Sequence, residues 1–73
     1  MDKELIGLRI RRLREEKRQT KRYVAKQLGV SYSCLCKIEY GLLTPGDDLK
    51  IRLSEYFAVP VGKLFFEEEN SET

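Results

Sequence analysis

The sequence predicts an all-α domain of five short helices carrying a helix-turn-helix. Apolar residues recur at three- and four-residue spacings, as in Ile6, Ile10 and Leu13, and no segment shows the period-two alternation of a half-buried strand. Gly29, Gly41 and Pro60 punctuate the chain at helix-length intervals. Seventy-three residues supply one modest core, because a chain of this size buries only about 60% of the surface it exposes when unfolded.

The first helix is expected over residues 3–17, with Asp2 as N-cap. It turns Ile6, Ile10 and Leu13 inward and carries Arg9, Arg11, Arg12 and Arg14 between them. The second spans 21–28, with Val24, Ala25 and Leu28 on one face, Thr20 as N-cap and Gly29 as left-handed terminator. Ser31 caps a third helix over 32–40, and Gly41 stops it. Thr44-Pro45-Gly46 marks the loop that follows. Asp47 or Asp48 caps a fourth helix reaching Phe57, with Leu49, Ile51, Leu53, Tyr56 and Phe57 partly buried. Pro60 opens a last short helix carrying Val61, Leu64 and Phe65. The domain is expected over 1–66. Residues 67–73 hold four glutamates and no apolar side chain, and are expected to fray as an acidic tail.

Composition narrows the chemistry. The chain has no histidine, which removes the commonest general base and the commonest metal ligand. Its two cysteines, Cys34 and Cys36, lie two apart, too divergent on a helix to bond and too few for a structural zinc site. They read as free thiols in a reducing compartment. No apolar run is long enough for a membrane span or a signal peptide. The expectation is a cytoplasmic protein that is not an enzyme, with no metal, no other cofactor, no membrane partner and no small-molecule ligand.

Charge is distributed unevenly. The whole chain carries +2, from 14 basic and 12 acidic residues. Residues 1–37 carry 11 basic and 4 acidic side chains, and residues 38–73 carry 3 basic and 8 acidic. Such polarity fits a polyanion-binding front with an acidic back.

The helix-turn-helix lies in residues 20–40. Gly29-Val30-Ser31 reverses the chain between two short helices, with Val30 spaced to pack beneath the turn. On a wheel of about 100° per residue, Leu35 and Ile38 define the buried side of the second of these helices. Tyr32, Ser33, Cys36, Lys37 and Tyr40 fall on the opposite side, with Glu39 at its margin. That side is polar and cationic. Lys21 and Arg22 occupy the first turn of the preceding helix, where the macrodipole disfavours cations. Tyr23 stands where a capping box would place Glu or Gln. A phosphate would offset both defects.

These residues resemble the phage Cro/repressor-type, or XRE-like, helix-turn-helix family. The likeness runs without gaps over about residues 6–65. It rests on Ile6-Gly7-Leu8-Arg9-Ile10-Arg11-Arg12-Leu13-Arg14, on Val24-Ala25-Lys26-Gln27-Leu28-Gly29-Val30-Ser31, on Ile38-Glu39-Tyr40-Gly41, on Pro45, and on Ala58-Val59-Pro60-Val61-Gly62-Lys63-Leu64-Phe65. The resemblance implies a five-helix repressor-like domain that binds double-stranded operator DNA as a homodimer in a bacterium or phage. It implies base contacts from Tyr32, Ser33, Cys36 and Lys37, with Lys21 reaching across from the second helix. Phosphate contacts are then expected from Thr20, Arg22, Tyr40 and Thr44. Arg14 and Glu39 match a pair that in this family braces the motif as a salt bridge. Val61, Leu64, Phe65 and Phe66 are the expected pairing surface. Lys21 departs from the glutamine usual at its position, and favours guanine or phosphate over adenine. Two competing classes are a helix-turn-helix adaptor that binds protein, as an anti-repressor or antitoxin-like partner, and a nonspecific DNA- or RNA-binding module.

Overall fold

The computed structural model describes residues 2–66, so Met1 and the acidic segment 67–73 lie outside the described residues. Four α-helices and one wider-turned helix follow in order: α1 Lys3–Glu16, α2 Lys21–Leu28, α3 Tyr32–Glu39, α4 Asp47–Phe57 and α5 Gly62–Phe66. Among the described residues there is no strand.

Local chemistry sets most of the boundaries. The Asp2 carboxylate accepts from Glu4 N–H (3.0 Å) and Leu5 N–H (3.3 Å), starting α1. The helix ends one residue earlier than expected. Lys17 is its C-cap, and Arg18 then turns left-handed at φ 57°. Thr20 Oγ1 accepts from Tyr23 N–H (3.1 Å) and Ser31 Oγ from Cys34 N–H (3.0 Å), capping α2 and α3. Gly29 (φ 76°) and Gly41 (φ 78°) adopt the left-handed conformation after those helices. The i to i−5 bonds Val30 N–H to Ala25 O (3.0 Å) and Leu42 N–H to Lys37 O (2.9 Å) close both ends. In α3 the last helical residue is Glu39, and Tyr40 is the cap.

Two expectations about α4 are corrected. Gly46 is its N-cap and makes no side-chain cap bond, whereas Asp47 and Asp48 both sit inside the first turn. Carboxylates there face the positive end of the helix dipole, and Asp48 also meets Arg52 at 2.8 Å. Ile51 is 52% exposed, because it points about 200° away from Leu53, which is fully buried. The helix ends on Ala58 at φ 57°, a left-handed position without a glycine.

Every helix contributes to one core: Ile6 and Ile10 from α1, Val24, Ala25 and Leu28 from α2, Leu35 and Ile38 from α3, Leu53 and Phe57 from α4, Leu64 and Phe65 from α5. Val30 packs against it from the turn. The backbones of α1 and α3 approach closely at Gly7. A Cβ on Gly7 would lie 2.5 Å from Ile38 O and 2.6 Å from Glu39 O, so only glycine fits. About two turns further along α1, Arg14 reaches Glu39. Its Nε is 2.7 Å from one carboxylate oxygen and its Nη2 3.1 Å from the other. Arg14 Nη1 also donates to Gln19 O (2.8 Å). Both residues are buried. The Glu39 hydrogen bond pushes the Arg14 pKa above its usual value, against the opposing effect of burial. Other polar side chains tie the remaining elements. Arg9 donates to Lys63 O and Leu64 O (both 3.1 Å), Arg52 to Leu28 O (3.0 Å), and Tyr56 to Gln19 Oε1 (2.6 Å).

Two substitutions test this frame. Glu39→Ala leaves a buried guanidinium unpaired and is expected to cost about 3–5 kcal/mol, against a total of roughly 4–11 kcal/mol for a domain of this length. Gly7→Ala is expected to lose about 1–3 kcal/mol through overpacking, although the same change on an open helix gains about 1 kcal/mol. Urea denaturation followed by helical ellipticity measures both. A neutral Glu39→Ala or a stabilising Gly7→Ala contradicts the packing described.

Candidate nucleic-acid interface

The α2–turn–α3 unit presents one continuous polar face. Leu35 and Ile38 hold α3 against the core, and the side opposite them carries Tyr32, Ser33, Lys37 and Tyr40, all exposed. Cys36 lies half-buried between them. Both thiols are free. Glu39, at the margin of this face by helical angle, is withdrawn from it by Arg14. The exposed side of α3 is therefore without a carboxylate of its own.

The start of α2 is held onto α3 through aromatic rings. The Lys21 ammonium donates to the Tyr40 hydroxyl (3.3 Å) and lies 4.9 Å from the centre of that ring. The Arg22 guanidinium carbon lies 4.4 Å from the centre of the Tyr32 ring. The structure thus joins Lys21 to Tyr40 at one end of α3 and Arg22 to Tyr32 at the other, with Ser33, Cys36 and Lys37 between. A ring face is electron-rich and attracts a cation by about 0.5–1 kcal/mol at an exposed site. The hydrogen bond to Tyr40 is the main reason the Lys21 pKa is raised, so Lys21 remains a full cation at neutral pH.

The remaining candidates fall around this face. Thr20 is exposed, with its hydroxyl oxygen accepting the Tyr23 N–H as a cap. The N–H groups of Lys21 and Arg22, in the first turn, have no intrahelical partner. Thr44 is exposed in the loop before α4, and among the described residues it makes no hydrogen bond to the α2–α3 face.

The expected pairing surface is divided by the fold. Leu64 and Phe65 are 1% and 2% exposed and belong to the chain's own core, whereas Phe66 is exposed and Val61 half-buried. Lys50, on α4, has most of its side chain buried. Its ammonium lies 5.3 Å from the Phe66 ring centre and 5.8 Å from that of Phe65.

An open cleft of about 310 Å³ lies between α2 and α4, lined by Gln27, Leu28, Arg52, Glu55 and Tyr56. Two of its polar groups are bonded to protein, Arg52 to Leu28 O and Tyr56 to Gln19. Among the described residues, no helix is long and apolar enough to cross a membrane.

Sequence reasoning missed the two cation–ring pairs. The participating residue types are visible at the right places, but pairing Lys21 with Tyr40, 19 positions away, requires the angle between α2 and α3.

A titration tests the Lys21 contact. The Lys21 side-chain resonance is expected to titrate above the usual lysine value. Tyr40→Phe should return it toward the usual lysine value. Because the folded pKa is raised, the contact's contribution is complete below the ordinary lysine pKa and disappears as pH climbs through the folded one. A Lys21 titration unaffected by Tyr40→Phe contradicts the assignment.

Comparison of the chain with protein-family models, with curated proteins and with solved structures yields no match.

Proposed function

We propose that this protein is a sequence-specific DNA-binding transcriptional regulator, a repressor that binds a two-fold operator as a homodimer with α3 in the major groove. One observation carries the reading. The exposed side of α3 bears Lys37 and no carboxylate, and the two cations that begin α2 rest on its own tyrosines. A helix whose exposed side is polar and cationic, crossed at its back by a second helix, suits the width of the major groove. Ser33, Cys36 and Lys37, with Tyr32 and Lys21, are the residues assigned to base edges. Thr20, Arg22, Tyr40 and Thr44 are assigned to phosphates, which position a protein on DNA without specifying sequence. Exposed Phe66 and half-buried Val61 are the accessible part of the surface assigned to pairing.

A second reading has its own support. Leu42 is 68% exposed and Leu43 39%, directly after α3, which suits an adaptor that docks protein. Under that reading Lys21→Ala and Lys37→Ala leave activity intact.

Selection from random duplexes decides between them. The expected product is an inverted repeat with half-site centres roughly 34 Å apart. On that duplex Lys37→Ala should weaken binding by about 1–3 kcal/mol, with a much smaller loss on random DNA. Equal losses on both reassign Lys37 to phosphate. No enrichment over background, or a strictly monomeric mass on the selected duplex in sedimentation, counts against the proposal.

A further inference from the structure

We propose that Arg22 reads a guanine in each half-site, and that Tyr32 is the positioning residue that aims it. The inference rests on the DNA-binding reading above and changes the role of both residues within it. In place of a phosphate-seeking cation and an independent base contact, they form one composite reader.

The arginines of this chain differ in what occupies their donors. Arg14 is bonded to Glu39 and Gln19, Arg52 to Asp48 and Leu28, Arg9 to Lys63 and Leu64, and Arg11 to Glu15. Arg22 is exposed, and among the described residues it has no hydrogen-bond acceptor and no ion-pair partner. What it does have is the Tyr32 ring, 4.4 Å from the guanidinium carbon. That contact is made without a hydrogen bond, so it uses none of the guanidinium's N–H donors. The five N–H donors lie in its plane and point outward from its edge. Contact with the ring therefore fixes the side chain while leaving its donors available.

Position supplies the rest. Tyr32 is the first residue of α3 and lies on the exposed side with Ser33 and Lys37. A guanidinium resting on it is carried to the leading end of the helix assigned to the groove, and Arg22 is exposed there. A flexible arginine on a surface finds phosphates in many geometries. A guanidinium held at the head of a reading helix presents a two-donor fork. The base edge that matches such a fork is guanine, through O6 and N7. Lys21 on Tyr40 has no such directional requirement, since an ammonium acts as a compact point charge.

The test is selection from random duplexes with the full chain as wild type, Arg22→Lys, Tyr32→Leu and Tyr32→Phe, with Lys37→Ala as a comparison. Thermal melting of each variant confirms that it is folded. Wild type should enrich a guanine at one fixed position of each half-site. Arg22→Lys and Tyr32→Leu should each lower the preference for that guanine by about tenfold or more, leaving the other positions unchanged. Tyr32→Phe should retain it, because the ring is what aims Arg22. Lys37→Ala should affect a different position.

Three results overturn the inference. Arg22→Lys may weaken every sequence equally, or Tyr32→Leu may keep the guanine preference intact; either leaves the DNA-binding reading in place. If wild type enriches no sequence at all, that reading fails and this one fails with it.

Discussion

Glu39 holds a carboxylate with only 1% of its side chain open to water. Such a charge is tolerable only if both oxygens are met, and Arg14 meets both. The pair sets the geometry around it. It clamps the end of α3 to the end of α1, about two turns beyond the point where Gly7 lets the two backbones approach closely. The third Arg14 contact, to Gln19 O, fixes the turn that leads into α2. The side chain of that same Gln19 accepts from Tyr56 on α4. One polar chain, Glu39–Arg14–Gln19–Tyr56, therefore links α3, α1, the α1–α2 turn and α4. Replacing a buried pair by apolar groups is often neutral or better for stability. What this pair supplies is a fixed register between the helices, together with removal of the one acidic side chain at the edge of the cationic face.

The start of α2 balances two modest terms. Lys21 and Arg22 sit where the helix dipole opposes them by about 0.3–1 kcal/mol each. Each rests against a tyrosine ring, which returns about 0.5–1 kcal/mol at an exposed site. The two effects are of the same size, so the arrangement is close to neutral for folding. It nonetheless holds two cations beside α3 in defined places. The rings act as supports, and their phenol and edge atoms remain at the surface.

Much of the fold was legible in the sequence because short-range chemistry decides it. Asp2, Thr20 and Ser31 cap the helices they precede, and Gly29 and Gly41 turn left-handed after α2 and α3. The buried sides of α2 and α3 follow from helical spacing alone. Failures arose where tertiary context overrode the local signal. Asp47 and Asp48 look like caps, yet Gly46 takes that place. Ile51 looks like core, yet its direction on α4 is wrong by about half a turn. Leu64 and Phe65 are buried within the chain, which leaves Phe66 and Val61 at the surface assigned to pairing. At the candidate interface, residue types and the exposed side of α3 were readable. The pairings of Lys21 with Tyr40 and of Arg22 with Tyr32 were not, since they depend on how two helices cross.

Arg18 and Ala58 each occupy the left-handed backbone region without a glycine's freedom. An L-residue there carries a penalty of about 1–2 kcal/mol, which is a large share of the stability of so small a domain. Each kcal/mol raises the unfolded population about fivefold. Proteases act on that population, so backbone strain at two turns shortens the lifetime of the chain. The two turns thus bear on how quickly a cell can clear it.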